Sequence, residues 1–193
     1  QGAEPQTLSL GQAVNILDVS QVSKTFPGAN GGTLALQAQK PRGIHWTADG
    51  NGYYEADAGE ITQVNLVSGN KTVIVTKQQL TPAGAGEALK VRNFFFSADD
   101  EKVLIYTNSK KVWRYDTRGD YWVLNLENNK LTQLGKALPA SSLMFAKFSP
   151  DGKQLAYVSG HNIYTEDVNS GISRRLTDDG SRKMINGTFD WVY

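Results

Sequence analysis

Cysteine is absent from the 193-residue chain, which excludes disulfide bonds and any thiolate metal site. Only two histidines occur, His45 and His161, and they lie in different repeats with no ligand partners, so no metal site is predicted, and no other cofactor is predicted either. No apolar run approaches the roughly 18 to 20 residues that a membrane-spanning helix requires. Neither charge dominates, since 20 basic and 19 acidic residues leave a net charge of +1, and that balance does not indicate nucleic acid as a partner.

The remaining composition is that of a globular protein. A hydrophobic content of 39% and a charged content of 20% are ordinary, and the length allows one domain with a sizeable core or two small ones. The lack of cysteine also suits a periplasmic or secreted protein. Because the sequence begins at Gln1 and not at methionine, we predict an exported protein whose signal peptide has been removed. An apolar leader encoded just upstream of Gln1 would support this prediction.

A repeated turn is the main feature that the sequence does contain. In residues 144–158, two apolar runs flank the tetrapeptide Ser149-Pro150-Asp151-Gly152. Proline fixes φ at about −65°, aspartate bonds to nearby backbone, and glycine adopts positive φ freely, so this stretch predicts a tight β-hairpin. Degraded copies occur at residues 46–50 and 96–100. A unit that recurs three times indicates one repeated architecture.

The spacing of the copies indicates the size of the repeat. Asp49, Asp99 and Asp151 lie 50 and 52 residues apart, close to the roughly 40 to 50 residues of a β-propeller blade. The predicted strands cover residues 52–54, 63–66, 72–75, 93–96, 103–106, 121–126, 130–134, 144–148, 154–158, 163–167 and 173–176. Propellers have about 4 to 8 blades, so three blades cannot close a ring. We therefore predict an all-β fold, a partial β-propeller of about three four-stranded antiparallel blades.

The second repeat is longer than the other two. Each turn aspartate is followed by a shared landmark, a polar residue just before a tight turn. The landmark lies 16 residues after the aspartate in the first and third repeats and 26 residues after it in the second. The landmarks are Asn65, Asn125 and Asp167. The ten extra residues cover roughly 108–119 and are interpreted as a long loop. The end of this stretch overlaps Arg118-Gly119-Asp120, an adhesion tripeptide that is better explained by the glycine expected at a hairpin tip.

The first 40 residues have a different pattern. Residues 8–24 are predicted to form a short helix, because Leu10, Val14 and Leu17 recur at helical spacing and Ser9 can cap its start. A docking helix explains this segment better than a functional amphipathic one, since the apolar stripe is narrow. The predicted domains are therefore residues 1–40, a helix and loop, and residues 41–193, the first blades of the propeller.

The extra residues of the second repeat contain the best candidates for function. Long loops of repeat proteins often hold binding residues. Trp113 provides a rigid aromatic wall, and Arg114 provides a guanidinium that can donate a forked pair of hydrogen bonds. Alternatively, Trp113 fills a crevice and Arg114 pairs with Asp116 or Asp120 at the surface. Both interpretations remain open on the residues alone.

Several segments within residues 93–193 resemble, in order, the propeller domain of the dipeptidyl peptidase IV family. These segments are Lys111-Val112-Trp113-Arg114, Tyr121, Asn125-Leu126, Phe148 to Gly152, Leu155 to Val158, Asn162 to Tyr164 and Asn186 to Tyr193. The resemblance implies an eight-bladed propeller, of which this chain is part, joined to a C-terminal α/β-hydrolase domain with a Ser/Asp/His triad. It also implies release of dipeptides with proline or alanine in second position from peptide N-termini.

The resemblance assigns one role to this chain. In the family, the arginine of the Trp-Arg pair contacts the peptide carbonyl of the substrate, and that role falls on Arg114, with Trp113 beside it. The paired glutamates that anchor the substrate's amine would follow Tyr193, and no Gly-x-Ser-x-Gly sequence occurs. No catalytic residue is therefore expected in this chain, and the chain alone is expected to be inactive.

The expected partners also follow from the resemblance. They are peptide substrates, the remaining blades, the hydrolase domain and a second copy in a homodimer. The alternative is a non-enzymatic periplasmic propeller that binds a protein or a sugar. A Glu-Glu pair encoded after Tyr193, followed by a Gly-x-Ser-x-Gly sequence, would favour the peptidase over the non-enzymatic propeller.

Overall fold

The computed structural model describes residues 44–57, 59–112 and 115–188. Within them, twelve strands form three four-stranded antiparallel sheets. The strands are β1 (His45–Trp46), β2 (Gly52–Asp57), β3 (Glu60–Asn65), β4 (Lys71–Val75), β5 (Asn93–Phe96), β6 (Lys102–Val112), β7 (Tyr115–Asn125), β8 (Lys130–Gln133), β9 (Met144–Phe148), β10 (Gln154–Ser159), β11 (Asn162–Asp167) and β12 (Ser173–Arg175). The predicted helix over residues 8–24 lies outside the described residues.

Each sheet contains four strands that are consecutive in sequence and adjacent in space. Sheet 1 is β1–β4, sheet 2 is β5–β8 and sheet 3 is β9–β12. Every neighbouring pair is antiparallel, so each sheet is a simple meander. The prediction of an all-β protein with three four-stranded antiparallel units is confirmed. In the part of the chain that the structure describes, no helix is long and apolar enough to cross a membrane.

The predicted turn has the same geometry in all three sheets. It joins the first strand to the second, and a hydroxyl side chain donates to the carboxylate of the aspartate two residues later. These pairs are Thr47–Asp49, Ser97–Asp99 and Ser149–Asp151, with Oγ to Oδ1 distances of 2.6, 2.5 and 2.6 Å. The hydroxyl bond is the main reason why the pKa of each aspartate is lowered, to about 2 for Asp99. The repeat inferred from sequence is therefore a structural repeat.

One position of this turn differs between the sheets. The residue after the aspartate has a left-handed backbone in every copy, with φ of 69° at Gly50, 56° at Asp100 and 65° at Gly152. Glycine occupies this conformation without steric cost, whereas a side chain destabilises it. The second turn therefore contains a strained residue that the other two avoid.

The polar landmarks also lie at equivalent positions, because Asn65, Asn125 and Asp167 are the last residues of β3, β7 and β11. The Oδ1 atom of each accepts hydrogen bonds from the backbone N–H groups two and three residues later. Between turn and landmark, the paired strands are 6 residues long in sheets 1 and 3 but 11 residues long in sheet 2. The ten extra residues are thus five on each strand.

The prediction of ten extra residues is confirmed, but their interpretation as a loop is wrong. They lengthen β6 and β7 as paired strands, and Gly119 lies inside β7 instead of at a hairpin tip. A paired conformation is favoured over a loop because the two strands of an extended hairpin form hydrogen bonds with each other's backbone N–H and C=O groups. The glycine of the adhesion-like tripeptide therefore needs a different explanation, which the neighbouring side chains provide.

One face of sheet 2 packs against sheet 1, and its other face packs against sheet 3. Alternate residues of β6 point to opposite sides, so Val103 and Ile105 contact the cluster around Ile61 of sheet 1. Leu104 and Tyr106 contact the cluster around Tyr157 of sheet 3. Every residue from 102 to 107 is buried as a result. Apolar burial on both faces stabilises the stack by roughly 1.5 to 3 kcal/mol for each large side chain.

A buried carboxylate connects sheet 3 to the segment that follows sheet 2. Glu166 is 6% exposed, and its Oε2 atom accepts hydrogen bonds from the Tyr157 hydroxyl at 2.9 Å and from the Gly135 N–H at 3.0 Å. Burial, followed by the bond to Glu166, raises the pKa of Tyr157. These bonds fix the start of the connection between β8 and β9, which also contributes to the candidate site.

Candidate functional site

The predicted site residues Trp113 and Arg114 lie outside the described residues. The described part of the site consists of the strand segments that lead to and from them. We call these segments, residues 108–112 of β6 and 115–119 of β7, the extended arm. The last described pair of the arm is Val112 opposite Tyr115. The alternative pairing of Arg114 with Asp116 or Asp120 also lies outside what the structure describes.

The pairing within the extended arm is irregular at its base. Thr107 lies opposite Asp120, as in a regular hairpin, but the next pairs are Lys110 with Arg118 and Lys111 with Asp116. The register therefore shifts twice over a few residues. Such bulges bend a hairpin and increase its twist, and they are common beside functional sites.

Basic side chains dominate the described surface of the arm. Lys110, Lys111 and Arg118 are all exposed. Lys110 and Arg118 occupy opposite positions on the two strands, and like charges in such a pair repel each other. This repulsion weakens the pairing of the two strands at the base of the arm.

Gly119 joins the arm by backbone bonds to Leu143, the residue just before sheet 3. Its N–H donates to the carbonyl of Leu143 at 3.0 Å, and its carbonyl accepts from the N–H of Leu143 at 3.1 Å. A Cβ atom on Gly119 would lie 2.7 Å from the carbonyl oxygen of Thr107 and closer still to the ring of Tyr106. The Tyr106 hydroxyl itself donates to the carbonyl of Arg118 at 2.8 Å. Glycine is therefore required at position 119 by close packing.

Asp120 holds three parts of the chain together at the base of the arm. Its Oδ1 atom accepts from the N–H of Ser141 at 2.6 Å, and its Oδ2 atom accepts from the side-chain amide of Asn108 at 2.7 Å. The Ser141 hydroxyl donates to the carbonyl of Asn108 at 2.8 Å, which closes a ring of three hydrogen bonds. We call Asn108, Asp120 and Ser141 the base triad.

Sequence reasoning treated Asp120 as a surface partner of Arg114 and as part of the adhesion-like tripeptide, and it did not find Asn108 or Ser141. Asn108 and Ser141 have positive φ of 45° and 55°, and Ser141 is buried. Asparagine tolerates this backbone better than most residues, which was the only local signal in the sequence. Their contact joins residues 33 positions apart and could not be read from spacing.

Two other features of the described surface concern metal ions and a groove. Within residues 44–57, 59–112 and 115–188, no three metal-ligating side chains lie close enough to share a metal ion. A shallow groove beside sheet 1 has a volume of about 520 Å³ and is lined by Gly59, Lys77 and residues 86–91.

Comparison with known proteins identifies the family. Residues 97–193 match the model of the dipeptidyl peptidase IV (DPP IV) N-terminal region. Dipeptidyl peptidase 4 of Trichophyton tonsurans is 31% identical over 162 residues, which are 83% of this chain and 20% of that protein. A probable dipeptidyl peptidase 4 of Aspergillus flavus is 30% identical over 168 residues, with the same coverage of both proteins. The chain thus spans about a fifth of the length of the curated relatives it matches.

A solved structure shares the fold. The crystal structure of Porphyromonas gingivalis dipeptidyl peptidase 4 superposes with a TM-score of 0.61 and 22% identity, over 72% of this chain and 20% of that one. The three sheets therefore correspond to part of a β-propeller of the dipeptidyl peptidase IV type. The sequence repeat predicted the partial propeller, and the resemblance predicted its type. The family model covers the whole of sheet 3 and all of the extended arm. On this match, the chain belongs to the dipeptidyl peptidase IV N-terminal region family.

Proposed function

We propose that this chain is the propeller portion of a dipeptidyl peptidase IV-like serine exopeptidase, which releases N-terminal dipeptides with proline or alanine in second position. The chain contributes substrate access and substrate binding. The extended arm is the observation that supports this proposal most. Its strands are each five residues longer than their counterparts in sheets 1 and 3, and they carry the chain to Trp113 and Arg114.

In this proposal Arg114 binds the peptide carbonyl of the substrate. A guanidinium remains charged at every physiological pH, and its hydrogen bond to a neutral carbonyl is strengthened where water is excluded. The contribution is orientation of the substrate and not acid–base chemistry. Trp113 is proposed as an aromatic wall of the same site. No Gly-x-Ser-x-Gly sequence occurs in the chain, so the proposal assigns it no catalytic residue.

The proposal extends to the organisation of the protein. Residues 1–40 form an N-terminal helix and loop, and residues 41–193 form the first blades of a larger, eight-bladed propeller. The other blades and an α/β-hydrolase domain supply the rest of the substrate cavity and the Ser/Asp/His triad. The protein acts as an exported enzyme, periplasmic or secreted, and forms a homodimer.

The first test uses the full-length protein that carries this chain. Wild-type protein is expected to release Gly-Pro and Ala-Pro from chromogenic dipeptide anilides. Arg114→Ala is expected to lower kcat/KM by about 10- to 100-fold, because a hydrogen bond from a charged donor contributes roughly 1.5 to 3 kcal/mol. Its melting temperature should stay unchanged. Lys110→Ala is the matched control, since it removes another exposed positive charge from the arm and leaves Arg114 in place.

Three results would contradict parts of this proposal. Equal kinetics for Arg114→Ala and wild type refute the role of Arg114. Absence of dipeptide release by the full-length protein refutes the exopeptidase and favours a propeller that binds a protein or sugar without catalysis. Dipeptide release by the isolated chain that a serine-hydrolase inhibitor blocks contradicts the expectation that the triad lies elsewhere.

A further inference from the structure

The base triad contains one contact with a counterpart in sheet 3. Asp120 is the sixth residue from the end of β7, and Asn162 is the sixth from the end of β11. The Oδ1 atom of Asn162 accepts the N–H of Gly180 at 3.0 Å, as Oδ1 of Asp120 accepts the N–H of Ser141 at 2.6 Å. In both cases the donor lies in the segment after the fourth strand. This bond is a shared element of the repeat and needs no functional explanation.

The other two bonds of the triad involve the arm itself. Asn108 is the first residue of the arm on β6, and its side chain donates to the second oxygen of Asp120 at 2.7 Å. Its carbonyl accepts the Ser141 hydroxyl at 2.8 Å. Asn108 is thus held by its backbone and by its side chain at the point where the extra residues begin. In sheet 3 the residue at this position is Gly160, which also has a positive φ of 55° and whose carbonyl accepts a hydrogen bond from the Asn162 side chain at 3.3 Å. Gly160 has no side chain, so the side-chain bond of Asn108 is the contact that sheet 3 lacks.

The backbone around these bonds restricts the arm further. Asn108 has a φ of 45°, which changes the chain direction where β6 enters the arm. On the other strand, Gly119 forms two hydrogen bonds with Leu143, which is 2% exposed in the core. Both strands of the arm are therefore attached at their bases to the connection between sheets 2 and 3. An attachment on one strand alone would leave the arm free to pivot.

We infer that Asn108 and Asp120 are positioning residues, which fix the direction of the extended arm so that Arg114 meets the substrate carbonyl. This inference rests on the proposed function of Arg114. The two residues touch no substrate, and their effect on turnover passes through the arm. A hydrogen bond that orients a substrate is sensitive to small displacements, so loss of the attachment weakens binding at Arg114.

The variant Asn108→Gly tests this inference without risk to the fold. Glycine accepts the left-handed backbone of position 108 at no cost, while the side-chain bond to Asp120 is lost. Asn129→Gly is the matched control. Asn129 also has a left-handed backbone, with a φ of 57°, and its side chain accepts a bond of 2.5 Å from Gln79 between sheets 1 and 2. Both variants remove one exposed inter-segment bond of an asparagine, but only one of them lies at the arm.

The kinetic experiment compares these variants in two backgrounds of the full-length protein. In the wild-type background, Asn108→Gly is expected to lower kcat/KM for a Gly-Pro anilide by about 3- to 10-fold, mainly through a higher KM. In the Arg114→Ala background, the same change is expected to alter kcat/KM by less than about 2-fold. Asn129→Gly should change it by less than about 2-fold in both backgrounds. A merely structural role of Asn108 would lower activity equally with and without Arg114.

A second measurement does not depend on activity. Amide hydrogen exchange in residues 109–112 and 115–118 is expected to accelerate in Asn108→Gly and to stay unchanged in Asn129→Gly. Unchanged exchange of the arm in Asn108→Gly overturns the inference, and so does an equal kinetic effect in both backgrounds. If the wild-type protein releases no dipeptide, the proposed function fails, and the exchange result alone then decides whether Asn108 fixes the arm.

Discussion

The substitution Gly119→Ala tests the packing at the base of the arm. An ideal Cβ atom at this position lies 2.7 Å from the carbonyl oxygen of Thr107 and even nearer to the Tyr106 ring. The Thr107 oxygen belongs to the backbone of β6 and cannot rotate away. Tyr106 is buried and stacks on Tyr121 with ring centroids 4.8 Å apart, so its ring has little room to move. The added methyl group must displace β7 from β6 or from Leu143.

The magnitude follows from what is displaced. Overpacking of a well-packed core costs about 1 to 3 kcal/mol. Each of the two backbone hydrogen bonds between Gly119 and Leu143 contributes about 1 kcal/mol. When the structure relaxes around the added methyl group, some overpacking remains and the two hydrogen bonds are weakened. We therefore expect Gly119→Ala to lower the free energy of unfolding by about 2 to 4 kcal/mol.

Urea unfolding followed by tyrosine and tryptophan fluorescence measures this loss. Gly86→Ala is the control, because a Cβ atom there has no neighbour within 4 Å and the backbone is not left-handed. The control should change the free energy of unfolding by no more than about 1 kcal/mol, in the stabilising direction. A Gly119→Ala protein that unfolds at the same urea concentration as the wild type would refute the close-packing explanation.

Two further predictions concern the repeated turn. Asp100→Gly should raise the free energy of unfolding by about 0.5 kcal/mol, because glycine adopts this left-handed backbone without strain and occupies both equivalent positions. Gly50→Ala should lower the free energy of unfolding by about 1 kcal/mol for the same reason, and urea unfolding measures both changes. Because the fold lowers the pKa of Asp99 from 3.8 to about 2, the stability from this carboxylate is fully present above about pH 4 and is lost as the pH falls through 2. Melting temperatures between pH 5 and pH 2 should fall less steeply for Asp99→Asn than for wild type, and equal slopes would contradict the assignment.

The turns and the repeat could be predicted because their causes are local. The turn needs a hydroxyl residue, an aspartate and a residue with positive φ within six positions. The order of residues alone therefore indicates the turn. Strand alternation in sheets 2 and 3 is equally local, so β5 and β9 were predicted with the bounds that the structure has. The length of the extra segment also followed from counting, because the first and third repeats show the length that the second would have without it.

The conformation of the extra segment could not be predicted in the same way. A loop and an extended hairpin have the same length, and only the pairing of β6 with β7 distinguishes them. The residues in question are mostly polar and charged, with Val112, Trp113 and Tyr115 clustered at the centre, so they lack the apolar alternation that marks a half-buried strand. The arm is extended because it satisfies its own backbone, and its base is fixed by contacts to the connection between sheets 2 and 3.

The sequence by itself therefore determined the blade architecture and the position of the ten extra residues around Arg114, because turn chemistry, strand period and repeat length act over short distances along the chain. The family was indicated separately, by the resemblance of short segments within residues 93–193. Only the tertiary structure decided what Gly119, Asn108 and Asp120 do. Their partners Leu143 and Ser141 lie 24 and 33 residues away in the chain from Gly119 and Asn108, and no local pattern records a contact that sheet packing creates.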